Sequence, residues 1–168
     1  MTLHHDLIEQ AQYLAYREPR KPRQASLRRA VSAAYYSLFH LLLHEATHLL
    51  FPGKPATLRE RASRAFTHSE AKNVCEIFAR KKGGVKDLTT EPLEQQLTEI
   101  AATFVRLQEA RQRADYDLML TFERIQVVDY VDQARVAMAK WKMIRNSPNA
   151  NVFLAALLIH NRWNKYNR

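Results

Sequence analysis

The most suggestive spacing for chemistry lies near the end of one helical segment. His44, Glu45 and His48 form the pattern HExxH. On a helix, histidines four residues apart share a face and can both bind zinc, while the glutamate can act as a general base. His40 precedes the pair at the same four-residue step. His68 or Glu70 could be a third ligand, but the spacing selects neither, and no sheet edge is indicated. A zinc hydrolase that uses residues 44–48 is therefore one hypothesis for function, ranked third behind the two given below.

A second suggestive residue is an arginine that continues an apolar stripe. Leu93, Leu97, Ile100, Phe104 and Leu107 follow the 4,3,4,3 spacing of a buried helix face, and the next step reaches Arg111. A guanidinium in that position is costly unless it is paired or lines a cleft. Asp115 and Asp117 offer acidic partners nearby. An ion pair that closes the helix and a cleft that binds a ligand both remain open, with the cleft slightly favoured.

The apolar spacing predicts helices throughout, and no segment alternates with the period of a strand. Ser26 is a plausible N-cap for a long helix, and Thr57 with Glu60 and Thr67 with Glu70 form capping boxes. Later helices are predicted from about Glu91, over about 122–144 and over about 150–165. We expect an all-α fold, an up-and-down bundle of about five to six helices. It forms a single domain over 1–168, with its core at about 24–145 and the last helix as an appendage.

Composition and length restrict the class of protein. The chain has 168 residues, three glycines and one cysteine, and its longest apolar run covers only residues 152–159. Since a membrane helix needs about 20 apolar residues, we predict no membrane association. The N-terminal residues show no secretory signal, and a lone Cys75 fits a reducing compartment, where we expect it to be a small core residue. The predicted location is the cytoplasm.

The formal net charge of +9 is unevenly placed. Residues 87–139 carry ten acidic and five basic side chains, a net of −5, so the remainder carries +14. One basic group lies between Arg17 and Arg29. A second comprises Arg59, Arg61, Arg64, Arg80, Lys81, Lys82 and Lys86, and the segment from Lys140 onward has six cations and no acid. Such asymmetry is typical of phosphate-binding proteins, although a solvated surface explains it equally well.

Three motifs occur in a fixed order. The first contains Arg28 and Arg29, then Tyr35, Tyr36, Phe39 and His40; the second is Arg64-Ala-Phe66-Thr-His68; the third is Arg111-Gln-Arg113-Ala-Asp115-Tyr116-Asp117. Together they resemble the HEPN superfamily, in particular its small stand-alone UPF0332-like members. The resemblance covers about residues 24–141. It implies a helical bundle, a homodimer, and an association with RNA or nucleotides, with no cofactor and no metal. Several branches of the superfamily are metal-independent ribonucleases of toxin or defence systems, and others are partners of minimal nucleotidyltransferases.

The resemblance also suggests roles for individual residues. Ribonuclease branches carry R-x4-6-H, whereas four residues separate Arg111 from Tyr116 here, which makes the motif R-x4-Y. In a cleavage hypothesis Arg111 stabilises a phosphate, His40 or His68 moves protons, Asp115 orients an arginine, and Tyr116 donates a hydrogen bond or stacks on a base. The further candidate binding residues are Arg29, Tyr36, Arg113 and Asp117.

The main alternative is a non-catalytic helical module for interaction or dimerisation. In that case the residues around Arg111 form a buried polar network that stabilises the fold. Such a cluster contributes to stability without touching a ligand.

Overall fold

The computed structural model describes residues 2–80, 88–90 and 92–166, with side chains described as far as residue 160. Within them the chain forms seven helices and no strand. The helices are α1 (Leu3–Tyr16), α2 (Gln24–Leu50), α3 (Ala56–Ser63), α4 (His68–Arg80), α5 (Gln95–Tyr116), α6 (Arg124–Ile144) and α7 (Pro148–Tyr166). The all-α prediction is confirmed. None of these helices is long and apolar enough to cross a membrane.

The expected count of five to six helices is too low. The chain turns after α3 through three consecutive i to i+3 bonds, from the amides of Arg64, Ala65 and Phe66. This tight turn separates α3 from α4, because the i to i+4 ladder of an α-helix is lost there. The helix predicted from about Glu91 begins later, at Gln95: residues 92–94 are not helical, so Leu93 of the predicted stripe lies before α5. Residues 81–87, which include the Gly83-Gly84 pair, and Glu91 itself lie outside the described residues.

The helix starts agree with the predicted caps in one case of three. Thr67 accepts a bond of 3.3 Å from the amide of Glu70, so Thr67 is confirmed as the cap of α4. Ser26 is not an N-cap: α2 begins two residues earlier, and the Ser26 hydroxyl donates to Glu18 at 2.8 Å. Thr57 is not a cap either, because α3 begins at Ala56 after Pro55 and has no side-chain cap bond. Proline holds the φ of that flanking position without a hydrogen bond.

The chain divides into two compact units. Unit 1 comprises Met1–Leu41 and Thr103–Ala139, and unit 2 comprises Leu42–Ala102 and Lys140–Arg168. Each is described by itself below.

Unit 1 is built from α1, the first part of α2, the last part of α5 and most of α6. Its core contains small and aliphatic side chains from all four helices, together with Phe122. The contacts of α2 with α5 run in opposite chain directions: Arg28 meets Ala114 and Tyr36 meets Arg111. These two helices are therefore antiparallel within the unit, so equally spaced polar residues on facing sides can meet in pairs.

Unit 2 has an aromatic core and a buried amide that joins its loops. Phe153 of α7 packs edge-on against Phe78 of α4 at 4.9 Å and lies 6.2 Å from Trp141. Asn149, 2% exposed, accepts from the amide of Thr90 at 2.8 Å and donates to the Thr90 carbonyl at 2.9 Å. Cys75 is fully buried, which confirms its prediction as a core residue, and burial raises the pKa of its thiol well above the usual range.

Candidate functional site

Two helices of unit 1 bring four polar side chains together. Ser32 and Tyr36 are four residues apart on α2, and Arg111 and Asp115 are four residues apart on α5. Residues at this spacing lie on one face of a helix, one turn apart. Because the helices are antiparallel, Ser32 meets Asp115 and Tyr36 meets Arg111. We call these four residues the polar cluster of unit 1.

Arg111 is the centre of this cluster. Its side chain is 16% exposed, and its Nε lies 2.8 Å from Oδ2 of Asp115. The buried Nε–H is not aligned with an acceptor, so the contact acts as a charge pair rather than as a directed hydrogen bond. Nη2 donates to the hydroxyl of Tyr36 at 2.9 Å. The structure thus contains the ion pair with Asp115 that the sequence left open as an alternative to a cleft.

Three tyrosine rings surround the guanidinium of Arg111. Its central carbon lies 5.5 Å from the ring of Tyr36, 5.9 Å from that of Tyr116 and 6.0 Å from that of Tyr35. A guanidinium within about 6 Å of a ring centre is attracted by the negative face of the ring. Tyr35 is fully buried, whereas the side of the cluster near Tyr116 is open to solvent, since that residue is 74% exposed.

The two aspartates after Arg111 have different roles. Oδ1 of Asp115 accepts the Ser32 hydroxyl at 2.7 Å, so this carboxylate is held by both helices. Asp117 does not pair with Arg111. Its carboxylate instead accepts the amides of Met119 at 3.0 Å and Leu120 at 3.2 Å, which is the geometry of an Asx turn. Asp117, a candidate binding residue, therefore also has a local structural role in this turn.

His40 extends the α2 side of the site by one turn. Its ring stacks on Tyr36 with centroids 6.1 Å apart and meets Phe39 edge-on at 5.5 Å. Burial lowers the pKa of His40 below its usual value, because desolvation disfavours the imidazolium. The neutral imidazole is therefore the main form at neutral pH, and only that form can accept a proton.

Arg28, which was not among the predicted site residues, is the more constrained of two adjacent arginines. It donates to the carbonyls of Ala114 at 2.7 Å, of Asp117 at 2.8 Å and of Leu120. It thereby satisfies carbonyls at the end of α5, where the backbone of a helix has no partners of its own. Arg29, the predicted binding residue, is exposed. The spacing of Arg28, four residues before Ser32 and eight before Tyr36, is the sequence signal for its position on the cluster face.

The solvent side of α5 carries the remaining predicted residues. Glu109, Gln112, Arg113, Tyr116 and Asp117 line an open groove of about 710 Å³. Arg113 is exposed and donates to the hydroxyl of Tyr130 at 3.4 Å, which is a long and therefore weak hydrogen bond. All five lining residues belong to the end of α5 or follow it directly, and the groove is open to solvent.

The histidines of unit 2 include His68 and the two histidines of the HExxH pattern, and they lie outside the polar cluster of unit 1. His68 is the first residue of α4 and is partly buried. Nδ1 of His48 donates to the carbonyl of His44 at 2.8 Å, and Glu45 pairs with Arg145 at 3.1 Å. Among the residues that the structure describes, no three His, Cys, Asp or Glu side chains are grouped to hold a metal ion. A catalytic zinc centre requires three protein ligands. The HExxH sequence thus has no third ligand within the described residues, and its glutamate is engaged by an arginine.

Neither a protein-family model nor a curated protein nor a solved structure matches this chain. The HEPN resemblance therefore depends on the three motifs themselves.

Proposed function

We propose that this protein is a HEPN-like RNA-binding protein, and that unit 1 binds single-stranded RNA beside α5. The observation that carries the proposal is the setting of Arg111. Its guanidinium is anchored at one edge by Asp115 and Tyr36, and it lies within 5.9 Å of the exposed ring of Tyr116. An oriented arginine next to an exposed aromatic ring is the combination with which proteins hold a phosphate and stack a base.

The donors of Arg111 support phosphate recognition. A guanidinium has five N–H donors, and Tyr36 and Asp115 engage one edge of it. The remaining N–H groups can therefore donate to a phosphate oxygen without breaking the cluster. Because the anchored side chain has already lost its rotamer freedom, binding costs less entropy than it would at a mobile surface arginine.

The charges of the groove indicate how RNA would lie. Glu109 and Asp117 repel phosphates, so the groove itself suits a base rather than the backbone. Tyr116 provides the stacking surface, and base stacking on an aromatic ring contributes about 1–3 kcal/mol per base. Arg111 and the exposed Arg113 then contact the phosphates on either side.

The binding test uses a fluorescent uridine dodecamer and measures its anisotropy at several salt concentrations. We expect Tyr116→Ala to weaken binding by about 5-fold to 100-fold, since a stacked base is lost. Arg113→Ala should lower the salt slope by about 0.7, the value for one phosphate contact in single strands. Arg135→Ala on α6 is the matched control, because it removes the same charge from unit 1. Equal effects of Arg113→Ala and Arg135→Ala would contradict a site beside α5.

Cleavage is tested separately from binding. His40, held neutral by burial, is the candidate proton acceptor in unit 1. Total cellular RNA is incubated with the protein in EDTA, beside Arg111→Ala and His40→Gln variants. Products that end in 2′,3′-cyclic phosphates, formed only by the native protein, would identify a metal-independent ribonuclease. Intact RNA with retained binding would identify a non-cleaving RNA-binding protein.

The second candidate function is a non-catalytic helical interaction module, and the Arg111–Asp115 ion pair favours it. A pair supported by Ser32 also suits a polar network that stabilises unit 1. In that case Arg111→Ala lowers the free energy of unfolding while Tyr116→Ala leaves RNA affinity unchanged. The two candidates therefore differ in the result for Tyr116, whose exposed ring contributes little to stability.

A further inference from the structure

Most of the net positive charge of the chain belongs to unit 2. Its sequence segments contain 15 Lys and Arg against eight Asp and Glu, a net of +7, whereas unit 1 has 11 against nine, a net of +2. Long-range attraction of a polyanion follows net charge, so unit 2 provides the stronger electrostatic field. The polar cluster of unit 1 cannot account for that asymmetry.

Helix α3 has a composition that packing does not explain. Its eight residues, ATLRERAS, include no buried side chain. Arg59 and Arg61 lie within it, and Arg64 follows it. Glu60, the one acidic residue of the helix, pairs with Arg64 at 3.0 Å, with both side chains largely exposed. Such a surface pair contributes little, and the helix has no buried apolar face. Arg59 also donates to the carbonyl of Lys54, a local contact outside the core. Its arginines are thus not required by the core of unit 2.

Two exposed histidines lie next to arginines in the same unit. The rings of His44 and His48 are 3.9 Å apart on the last turns of α2. Burial lowers the pKa of His44, and the positive charges of His48, Arg145 and Arg59 lower it further, against the opposing effect of Glu45. Arg145 is held at this turn by its ion pair with Glu45 at 3.1 Å, and the charge of Arg59 acts on the same histidine. We call His44, His48, Arg59 and Arg145 the basic cluster of unit 2.

The charges of this cluster distinguish between two ligand classes. A histidine pair at i and i+4 suits a metal ion, but two guanidinium groups repel a dication as they repel a proton on His44. The same groups attract an anion, and guanidinium and imidazolium are both donors suited to phosphate oxygens. Glu45 is 12% exposed and paired with Arg145 at 3.1 Å, so these two charges largely offset each other. The net positive charge of the cluster then comes from Arg59 and from a protonated histidine.

We propose that the basic cluster of unit 2 is a second phosphodiester-binding site, which holds the backbone of single-stranded RNA. The proposal shares its ligand with the site beside α5 and rests on the proposed function in that respect. Nδ1 of His48 donates to a backbone carbonyl, so a phosphate contact at Nε2 requires the imidazolium form. Binding therefore takes up a proton and is tighter at pH 5.5 than at pH 7.5.

The experiment follows the histidine ring signals of the full chain by NMR during titration with a uridine dodecamer. We expect the ring signals of His44 and His48 to move when RNA is bound, and the affinity to be higher at pH 5.5 than at pH 7.5. Arg59→Gln should lower the salt slope of binding by about 0.7, as for one lost phosphate contact. Arg80→Gln, an exposed arginine at the end of α4, removes the same charge and should leave the slope unchanged. Circular dichroism checks that both variants are folded.

Three results would overturn the proposal. These are ring signals that do not move at saturating RNA, equal effects of Arg59→Gln and Arg80→Gln, and a response to inorganic phosphate that matches RNA at equal phosphate concentration. The experiments also distinguish a wrong proposal for the site beside α5 from a wrong proposal for the basic cluster. If Tyr116→Ala binds RNA like the native protein while His44 and His48 respond, the site beside α5 is wrong and the basic cluster is supported. If Tyr116→Ala weakens binding while the two histidines do not respond, the reverse holds.

Discussion

The hydroxyl of Tyr36 accepts a hydrogen bond of 2.9 Å from Nη2 of Arg111, and this bond joins α2 to α5 inside unit 1. The two residues are 75 positions apart in the chain. The bond fixes the direction of the guanidinium, while Asp115 balances its charge at 2.8 Å. Whatever Arg111 binds, its side chain is oriented before the ligand arrives.

Removal of the Tyr36 hydroxyl should destabilise the protein modestly. A hydrogen bond to a charged group contributes about 1.5–3 kcal/mol, and partial exposure reduces that value, so we expect Tyr36→Phe to lower the free energy of unfolding by about 1–2 kcal/mol. Urea denaturation measures it. Tyr13→Phe is the control, since Tyr13 is 65% exposed. Equal stability of the two variants would show that the Tyr36 bond contributes nothing.

Substitutions of two adjacent arginines should have opposite effects, one on stability and the other on RNA affinity. Arg28→Ala leaves three carbonyls near the end of α5 without their shared donor, and we expect a loss of about 2–3 kcal/mol of unfolding free energy. Arg29→Ala removes an exposed side chain, so its stability should change by less than about 0.5 kcal/mol, while its RNA affinity falls. Both are measured by urea denaturation and dodecamer binding. A larger stability loss for Arg29→Ala than for Arg28→Ala would contradict the contacts of Arg28.

The buried amide of Asn149 should be the most sensitive polar side chain of unit 2. Besides its two bonds to the main chain of Thr90, it donates to Glu94 at 3.0 Å. Asn149→Ala removes a buried hub and leaves its partners unsatisfied, which costs about 2–4 kcal/mol. Asn151→Ala, at an exposed position two residues later, is the matched control. Thermal unfolding of both variants measures the loss of stability, and similar midpoints would disprove a stabilising role of the Asn149 hydrogen bonds.

The half-buried ring of His40 should make stability depend on pH. Burial lowers its pKa in the folded protein below the unfolded value of about 6.5. The unfolded chain then binds more protons between the two pKa values, so stability is complete above about pH 6.5 and falls as the pH decreases towards the folded pKa. His40→Gln should have a smaller loss of unfolding free energy between pH 7.5 and pH 5.5 than the native protein. An identical loss in both proteins would exclude a contribution from His40.

Helical periodicity was sufficient to predict the all-α fold, because apolar residues recur at the spacing that places them on one buried face of each helix. The stripe from Leu97 to Leu107 is buried as predicted, and so are Val127, Val131, Ala134, Met138 and Trp141 of α6. Caps were less predictable, since a side chain such as Ser26 has several possible partners and the distant Glu18 is the one it bonds.

The sequence by itself determined that Arg111 ends an apolar stripe and that acidic residues follow within two turns, and it made Tyr36 and His40 candidate residues. Only the tertiary structure decided which partners meet. Asp115 pairs with Arg111 while Asp117 caps a turn, and Arg28 rather than Arg29 meets the carbonyls at the end of α5. The reason is physical. Spacing along a helix specifies a direction within about one turn, but pairing between helices depends on the rotation and offset at which their apolar faces pack, and those arise from the whole core.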